Sequence, residues 1–252
     1  MLAPAALDRA QRESLLGRAS PLVKLGVATV WLIGLATTVD ARAGVFLAIA
    51  ALLSMPLLGG VPGERLLRRL APLLLAAFGI FVTNLLFSTH NTDPSASVLA
   101  TIGPLRLTAA AVGVAAGLGA RVLAIVAVGS AFTLTTDATG LADALVQQAR
   151  VSPRFAYGAL AAYQAVPRLA DDLGTIRAAR RVRGLREWHP RILIGLLVRA
   201  IRHADQLALA MDARAFGSGP RSTFRPMRWG PADVAVGVGG LVVLVLALLG
   251  AR

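Results

Sequence analysis

Between Asp233 and Arg252 no residue carries a charge, and the stretch from Ala232 to Leu249 is long enough to cross a bilayer as one helix. In hydrocarbon the backbone must satisfy its own polar groups, so such a segment has one stable single-chain form, the helix. Four further apolar stretches precede it: Leu22 to Val39, which begins just after Pro21; about Gly44 to Leu58; Leu70 to Phe87; and about Leu107 to Leu134. The second is closed by the breaker Gly59-Gly60-Val61-Pro62-Gly63. Composition agrees, at 56% hydrophobic and only 15% charged, with mean hydropathy +0.68; soluble domains hold about 45–50% apolar residues. The expected fold class is all-α: a polytopic membrane protein of about five transmembrane helices, with amphipathic helices outside the bilayer.

The fourth stretch is too long for one upright span, at roughly 42 Å of helix, and it carries Arg121 near its middle. Two readings stand side by side. One is an intramembrane functional arginine. The other is a structural residue of a long, tilted or divided helix, buried against a neighbour or snorkelling. Ala115, Ala116, Gly117, Gly119 and Ala120 beside it suit close helix packing in lipid.

Charge placement gives the expected orientation. Arg9, Arg12, Arg18 and Lys24 lie in or beside the N-terminal segment, and Arg65, Arg68 and Arg69 in the second loop. The first loop carries only Arg42, and the third, Ser88 to Arg106, only Arg106. The positive-inside rule puts the N-terminus, the second loop and the arginine-rich residues 135–231 in the cytoplasm of a multi-pass cell-membrane protein. Five spans then leave the C-terminus outside. The N-terminus, which holds acidic residues and no short apolar core before a cleavage site, is not expected to be a signal peptide. The organisation expected is a membrane domain over 1–134, a cytoplasmic region over 135–231 and a last transmembrane helix over 232–252.

The cytoplasmic region reads as amphipathic helices. One begins near Thr136-Asp137 and runs to Gln148. A second starts at Ser152-Pro153 and meets Pro167, where a kink or restart is expected. A third runs from Arg168 to Gly184 with Leu169, Leu173 and Ile176 spaced three to four apart. A fourth runs from Pro190 to near Gly217, with Leu193, Leu197, Ala200, Ala204, Leu207 and Met211 on one stripe. Their apolar faces need cover from one another, the lipid bilayer or a partner protein.

Two places stand out. Arg183 precedes Gly184 in Arg180-Arg181-Val182-Arg183-Gly184, and Arg214 lies between Ala213 and Ala215 before Gly217. An arginine at a helix C-terminus can simply bond the last carbonyls. Alternatively its planar fork projects beyond the helix and engages a partner's carboxylates and carbonyls. The arrangement occurs twice in one cytoplasmic arm, which favours a partner with two equivalent pockets.

At these residues the sequence resembles the transmembrane T component of energy-coupling factor (ECF) transporters. That family carries two short Ala-Arg-Gly-type motifs, here Val182-Arg183-Gly184 and Ala213-Arg214-Ala215, each departing by one small-residue exchange. Thr135-Thr136-Asp137 with Leu141 to Leu145, Val166-Pro167 with the run to Gly184, and Pro21 to Leu25 are similar to the family as well. The resemblance covers about residue 25 to the C-terminus. It implies a non-catalytic scaffold of a vitamin or metal-ion importer that joins two ATP-binding cassette ATPase subunits to a substrate-binding membrane S component. It implies that Arg183 and Arg214 each dock in one ATPase subunit. It also implies that the faces carrying Leu169, Leu173, Ile176, Leu193, Leu197, Leu207 and Met211 hold the S component. Ala215, where the family has Gly, places a methyl at the second docking point.

Other chemistries find little support. The chain has no cysteine, and its three histidines are scattered, so no metal site or cofactor is expected. No catalytic residue is proposed. There is no GxxxxGK[ST] loop for ATP, and Lys24 is the only lysine. Asp171-Asp172 could suggest the magnesium site of a membrane prenyltransferase, but no further carboxylate follows nearby. The net charge of +13 is what a cytoplasmic membrane face requires and does not call for nucleic acid. A self-contained transporter would need polar residues along several spans, and apart from Arg121 and Asn84 these are bare. The permease of an ordinary ABC importer would also dock on ATPases, but its longer Glu-Ala-Ala…Gly loop is not found.

Overall fold

The computed structural model describes residues 9–38, 40–92, 97–102, 105–217, 219 and 222–250. They form ten α-helices and one small hairpin: α1 Arg9–Glu13, α2 Leu15–Arg18, α3 Pro21–Ala36, α4 Ala41–Gly59, α5 Gly63–Leu86, β1 Val98–Ile102, β2 Leu105–Thr108, α6 Ala109–Thr135, α7 Ala138–Gln147, α8 Pro153–Val182, α9 Arg191–Ala213 and α10 Pro231–Leu249. The protein is an all-α, polytopic membrane protein. Its described residues fall into two compact units, one over Ala138–Met227 and the other over residues 9–137 with 228–250.

The second of these units is the apolar bundle. Four of its segments are long and apolar enough to span a membrane: Ala41–Gly59, Leu70–Asn91, Ala109–Thr135 and Pro231–Leu249. The first expected span is shorter, a 16-residue helix; it rises only about 24 Å. The fourth stretch is a single helix of 27 residues, and the helix of the third begins seven residues earlier than expected, at Gly63, taking Arg65 and Arg68 into its first turns. The hairpin β1–β2 was not legible in the third loop; Leu107 and Thr108, read as the start of a span, are strand.

Small residues let these helices approach closely. A Cβ on Gly44 would lie 3.0 Å from the backbone of Ala120, one on Gly34 would lie 2.6 Å from Leu244, and one on Gly240 would lie 2.5 Å from Val27. Trp31, Leu47, Ala51, Ala124, Val128 and Leu244 fill the space between them. Lipid tails are as apolar as leucine, so this association rests on contact and on hydrogen bonds rather than on escape from water. Trp31 supplies one, its Nε1–H donating to the Gly240 carbonyl at 2.8 Å.

At one end of the bundle a polar knot joins three helices. Asp233 accepts from the Ser20 N–H at 2.5 Å and from the Gly230 N–H at 2.8 Å. Ser20 and Gly230 are the N-cap residues of α3 and α10, so one carboxylate serves the starts of both. Lys24, 7% exposed, donates from Nζ to the Thr135 carbonyl at 2.6 Å, at the last residue of α6. A cation at a helix C-terminus and a carboxylate at two N-termini match the helix dipoles. Asp233→Ala removes two charge-assisted bonds and the anion nearest a buried amine. It is expected to cost about 2–4 kcal/mol, read as a clear fall in the thermal midpoint of the detergent-solubilised chain, with Asp233→Asn falling less.

Candidate docking turns

The unit over Ala138–Met227 is built on α7, α8 and α9. Of the kink or restart expected at Pro167, the restart does not occur: α8 runs 30 residues through it. Proline has no N–H, so one internal bond is missing there, yet the flanking turns carry the helix on. Helices α8 and α9 run antiparallel where they meet. Arg199 Nη1 binds Asp172 Oδ1 at 3.0 Å, and Arg168 Nη1 lies 2.6 Å from His203 Nε2. Asp172 is thereby used in an inter-helix ion pair, and among the described residues no group of three or more metal-ligating side chains occurs.

The stripe on α9 is left open. Leu193 is 52% exposed and Leu197 60%, and Leu207 is exposed, while Met211 is half-buried. Ile194, Val198 and Ile201 widen the apolar face. On α8, Leu169, Leu173 and Ile176 are half-buried.

Arg183 and Arg214 occupy the same structural position on two helices. Each is the C-cap residue, of α8 and α9 respectively. After Arg183 the Gly184 N–H donates to Arg181 O at 3.0 Å and the Leu185 N–H to Arg180 O at 3.0 Å. After Arg214 the Ala215 N–H donates to Asp212 O at 2.8 Å and the Phe216 N–H to Met211 O at 3.0 Å. Both are Schellman turns, which need the residue after the cap in the left-handed region. Gly184 has φ +67° and Ala215 has φ +53°. Both arginines are exposed, as are Val182, Gly184, Ala213 and Ala215. Counting along the helices, Arg183 lies about 16 Å beyond the Asp172–Arg199 crossing, and Arg214 about 22 Å beyond it in the opposite sense.

The turns are braced differently. Beyond the first, Arg180 Nε donates to Arg186 O at 2.9 Å, Arg181 Nε binds Glu187 Oε1 at 2.6 Å, and Arg177 lies 5.4 Å over the Trp188 ring. The Arg181 hydrogen bond, and then its charge, hold the Glu187 carboxyl below the usual carboxylate range; exposed pairs of this kind contribute orientation more than energy. Behind the second, Phe216 meets Tyr157 edge-on at 6.1 Å, and the Tyr157 hydroxyl donates to Asp143 Oδ1 at 2.8 Å. Asp143 is buried. Gly217, at φ +81°, fits against Arg154 so closely that a Cβ would lie 2.5 Å from its Nε. None of these supporting residues was singled out from the sequence for this role. The one signal was Asp143, the single charged residue of the α7 segment Ala138–Gln147.

Arg121 is half-buried on α6, and its Nη2 donates to the Thr38 carbonyl at the end of α3. Its charge thus meets a backbone carbonyl of the α3–α4 connection.

Residues 13–224 match the model of the CbiQ family, described as cobalt transport protein. The chain belongs to this family. It is 25% identical over 241 residues to the energy-coupling factor transporter transmembrane protein EcfT of Thermosediminibacter oceani, a match covering 88% of each chain. It is 27% identical over 211 residues to EcfT of Listeria innocua, covering 75% of this chain and 77% of that one. A protein of Bifidobacterium longum, named as an ABC transporter ATP-binding protein, is 28% identical over 178 residues, which are 63% of this chain but 22% of that one. The chain is therefore a T component, a non-catalytic transmembrane part of an ECF transporter.

Within this T component the alanine of the second turn is the unusual one. A residue with a Cβ costs about 1–2 kcal/mol in the left-handed region, partly offset by the chain entropy that glycine loses on folding. Ala215→Gly is expected to steady the turn by about 0.5–1 kcal/mol, seen as slower hydrogen exchange at the amides of residues 215 and 216. Gly184→Ala should do the reverse at residues 184 and 185.

Proposed function

We propose that this T component couples a pair of ATP-binding cassette subunits to a substrate-binding S component, with Arg183 and Arg214 each docked in one ATPase subunit. The observation that carries this reading is the repetition of one backbone turn, with an exposed arginine at the same position, on two antiparallel helices. Two equivalent keys suit two equivalent pockets. A guanidinium beyond a helix end can form forked bonds to carboxylates and carbonyls, and Gly184, Ala213 and Ala215 allow a close approach. The relative named as an ATP-binding protein supports the pairing, since a segment similar to this chain forms part of it.

The open apolar face of α9, with the half-buried Leu169, Leu173 and Ile176 of α8, would receive the S component, and the bilayer surface would cover what remains. ATP-driven closure of the two ATPases would move the two turns, and with them the helices that carry the S component. The transported compound would be a vitamin or a metal ion selected by the S component. The N-terminus and residues 135–231 would face the cytoplasm, as the placement of arginine predicts.

The apolar bundle contains a groove of about 430 Å³ between α3, α4, α6 and α10. Its polar side chains are already engaged: Lys24 on Thr135 O, Ser54 on Ala51 O and Thr135 on Ala131 O. A groove with its polar groups committed inward suits a scaffold better than a self-contained carrier of a hydrophilic solute.

Arg183→Ala and Arg214→Ala together are expected to abolish recovery of the ATPase subunits in mild-detergent affinity purification while membrane insertion stays normal, each arginine contributing about 2–5 kcal/mol if desolvated. Normal recovery from the double variant would refute the docking. The purified chain alone is expected to show no ATP turnover above a protein-free control; sustained hydrolysis by it would refute the scaffold role.

A further inference from the structure

Helix α7 carries two polar residues one turn apart, and both reach the chain that follows Arg214. Asp143 accepts the hydroxyl of Tyr157 at 2.8 Å, and the Tyr157 ring meets Phe216, two residues after the arginine. Gln147 binds both ways to a segment further on: its Nε2 donates to Arg225 O at 2.9 Å, and its Oε1 accepts from the Met227 N–H at 2.8 Å. Residues at i and i+4 share a helix face, so one face of α7 holds the chain on both sides of residues 218–221. Ala142 and Ala144 are buried beside them, and Ala144 is fully so. The first turn is braced instead by contacts between the end of α8 and the residues that follow it, Arg186, Glu187 and Trp188.

We propose that α7 is a positioning helix for the second docking turn: Asp143, through Tyr157, and Gln147, through the backbone of Arg225 and Met227, fix the Phe216 side of the turn and so the direction of Arg214. This rests on the docking role of Arg214 given above. The second turn needs such support because Ala215 holds a backbone conformation that favours glycine. A Schellman turn with alanine at that place is poorly held by its own residues. The edge-on ring contact and the hydroxyl–carboxylate bond supply from outside what glycine supplies at the first turn. Burial first, then the Asp143 acceptor and its charge, raise the Tyr157 phenol above its ordinary pKa. The arrangement predicts a compensation: Ala215→Gly reduces the need for Tyr157.

The test is a set of full-length variants in mild detergent, each scored for affinity toward the ATPase pair that co-purifies with the wild-type chain. Tyr157→Ala in an Arg183→Ala background, where only the second turn binds, is expected to weaken affinity about tenfold, and in an Arg214→Ala background less than about twofold. Tyr157→Phe, which keeps the ring and guards against misfolding, should fall between wild type and Tyr157→Ala. Asp143→Asn, which keeps an acceptor, should stay near wild type, and Ala215→Gly should restore most of the loss in Tyr157→Ala. Hydrogen exchange gives a readout without the ATPases: Tyr157→Ala should speed exchange at Ala215 and Phe216 and leave Gly184 and Leu185 unchanged. Equal losses in both arginine backgrounds, or unchanged exchange at Ala215 and Phe216, would overturn the positioning role. Should Arg214→Ala itself leave affinity intact, the docking reading fails instead, while the exchange result still decides whether α7 holds the turn.

Discussion

A charged knot at one end of the apolar bundle holds three of its helix ends. The knot joins the starts of α3 and α10 to the end of α6. Inside hydrocarbon an unsatisfied helix end costs several kcal/mol, so the three ends are drawn to the few groups that can serve them. Asp233 caps two N-termini at once, and Lys24, the only lysine of the chain, closes the C-terminus of α6. The chain leaves α6 for residues 138–227 immediately after the carbonyl that Lys24 holds. The end of α6 is thus held by an ionic group, whereas the close approach of the helices rests on the small size of glycine and alanine.

Much of this was legible in the sequence, and the reasons differ by region. The apolar stretches announce themselves because a bilayer tolerates so few alternatives. Gly60, inside the breaker that ends the second stretch, does take a left-handed φ, +61°. The two arginine turns were found because glycine or alanine after an arginine at a helix end is a local pattern. Pro167 does not end its helix, because the cost of a proline there, about 3 kcal/mol, is borne by a helix that is long on either side. The hairpin after Phe87 went unseen because its strands are too short for alternation to show. Arg121 could not be resolved from sequence alone: its partner, the Thr38 carbonyl, lies 83 residues away in the chain and meets it only in the folded bundle.

The support behind the second turn is the part that no local pattern could give. Asp143, Tyr157 and Phe216 lie on three different elements, and their meeting depends on α9 returning antiparallel along α8. In isolation each has a bland explanation, a polar residue on a helix or an aromatic near a glycine. What links them is the alanine at position 215. A turn that cannot rely on glycine is the turn that is held by an aromatic ring from outside, and the pairing of those two facts carries more weight than either alone.

Pro167 leaves a mechanical mark on α8. The amide it lacks would have bonded the carbonyl of Tyr163, so one rung of the ladder is missing near the middle of a rod about 45 Å long. Tyr157 and the second turn lie on one side of that gap; the Asp172–Arg199 crossing and Arg183 lie on the other. A helix flexes most cheaply where a rung is absent. The most compliant point of the rod therefore sits between Arg183 and the Tyr157 end that meets the second turn, where a change in the spacing of the two turns can be absorbed as a bend while the hydrogen bonds on either side stay made.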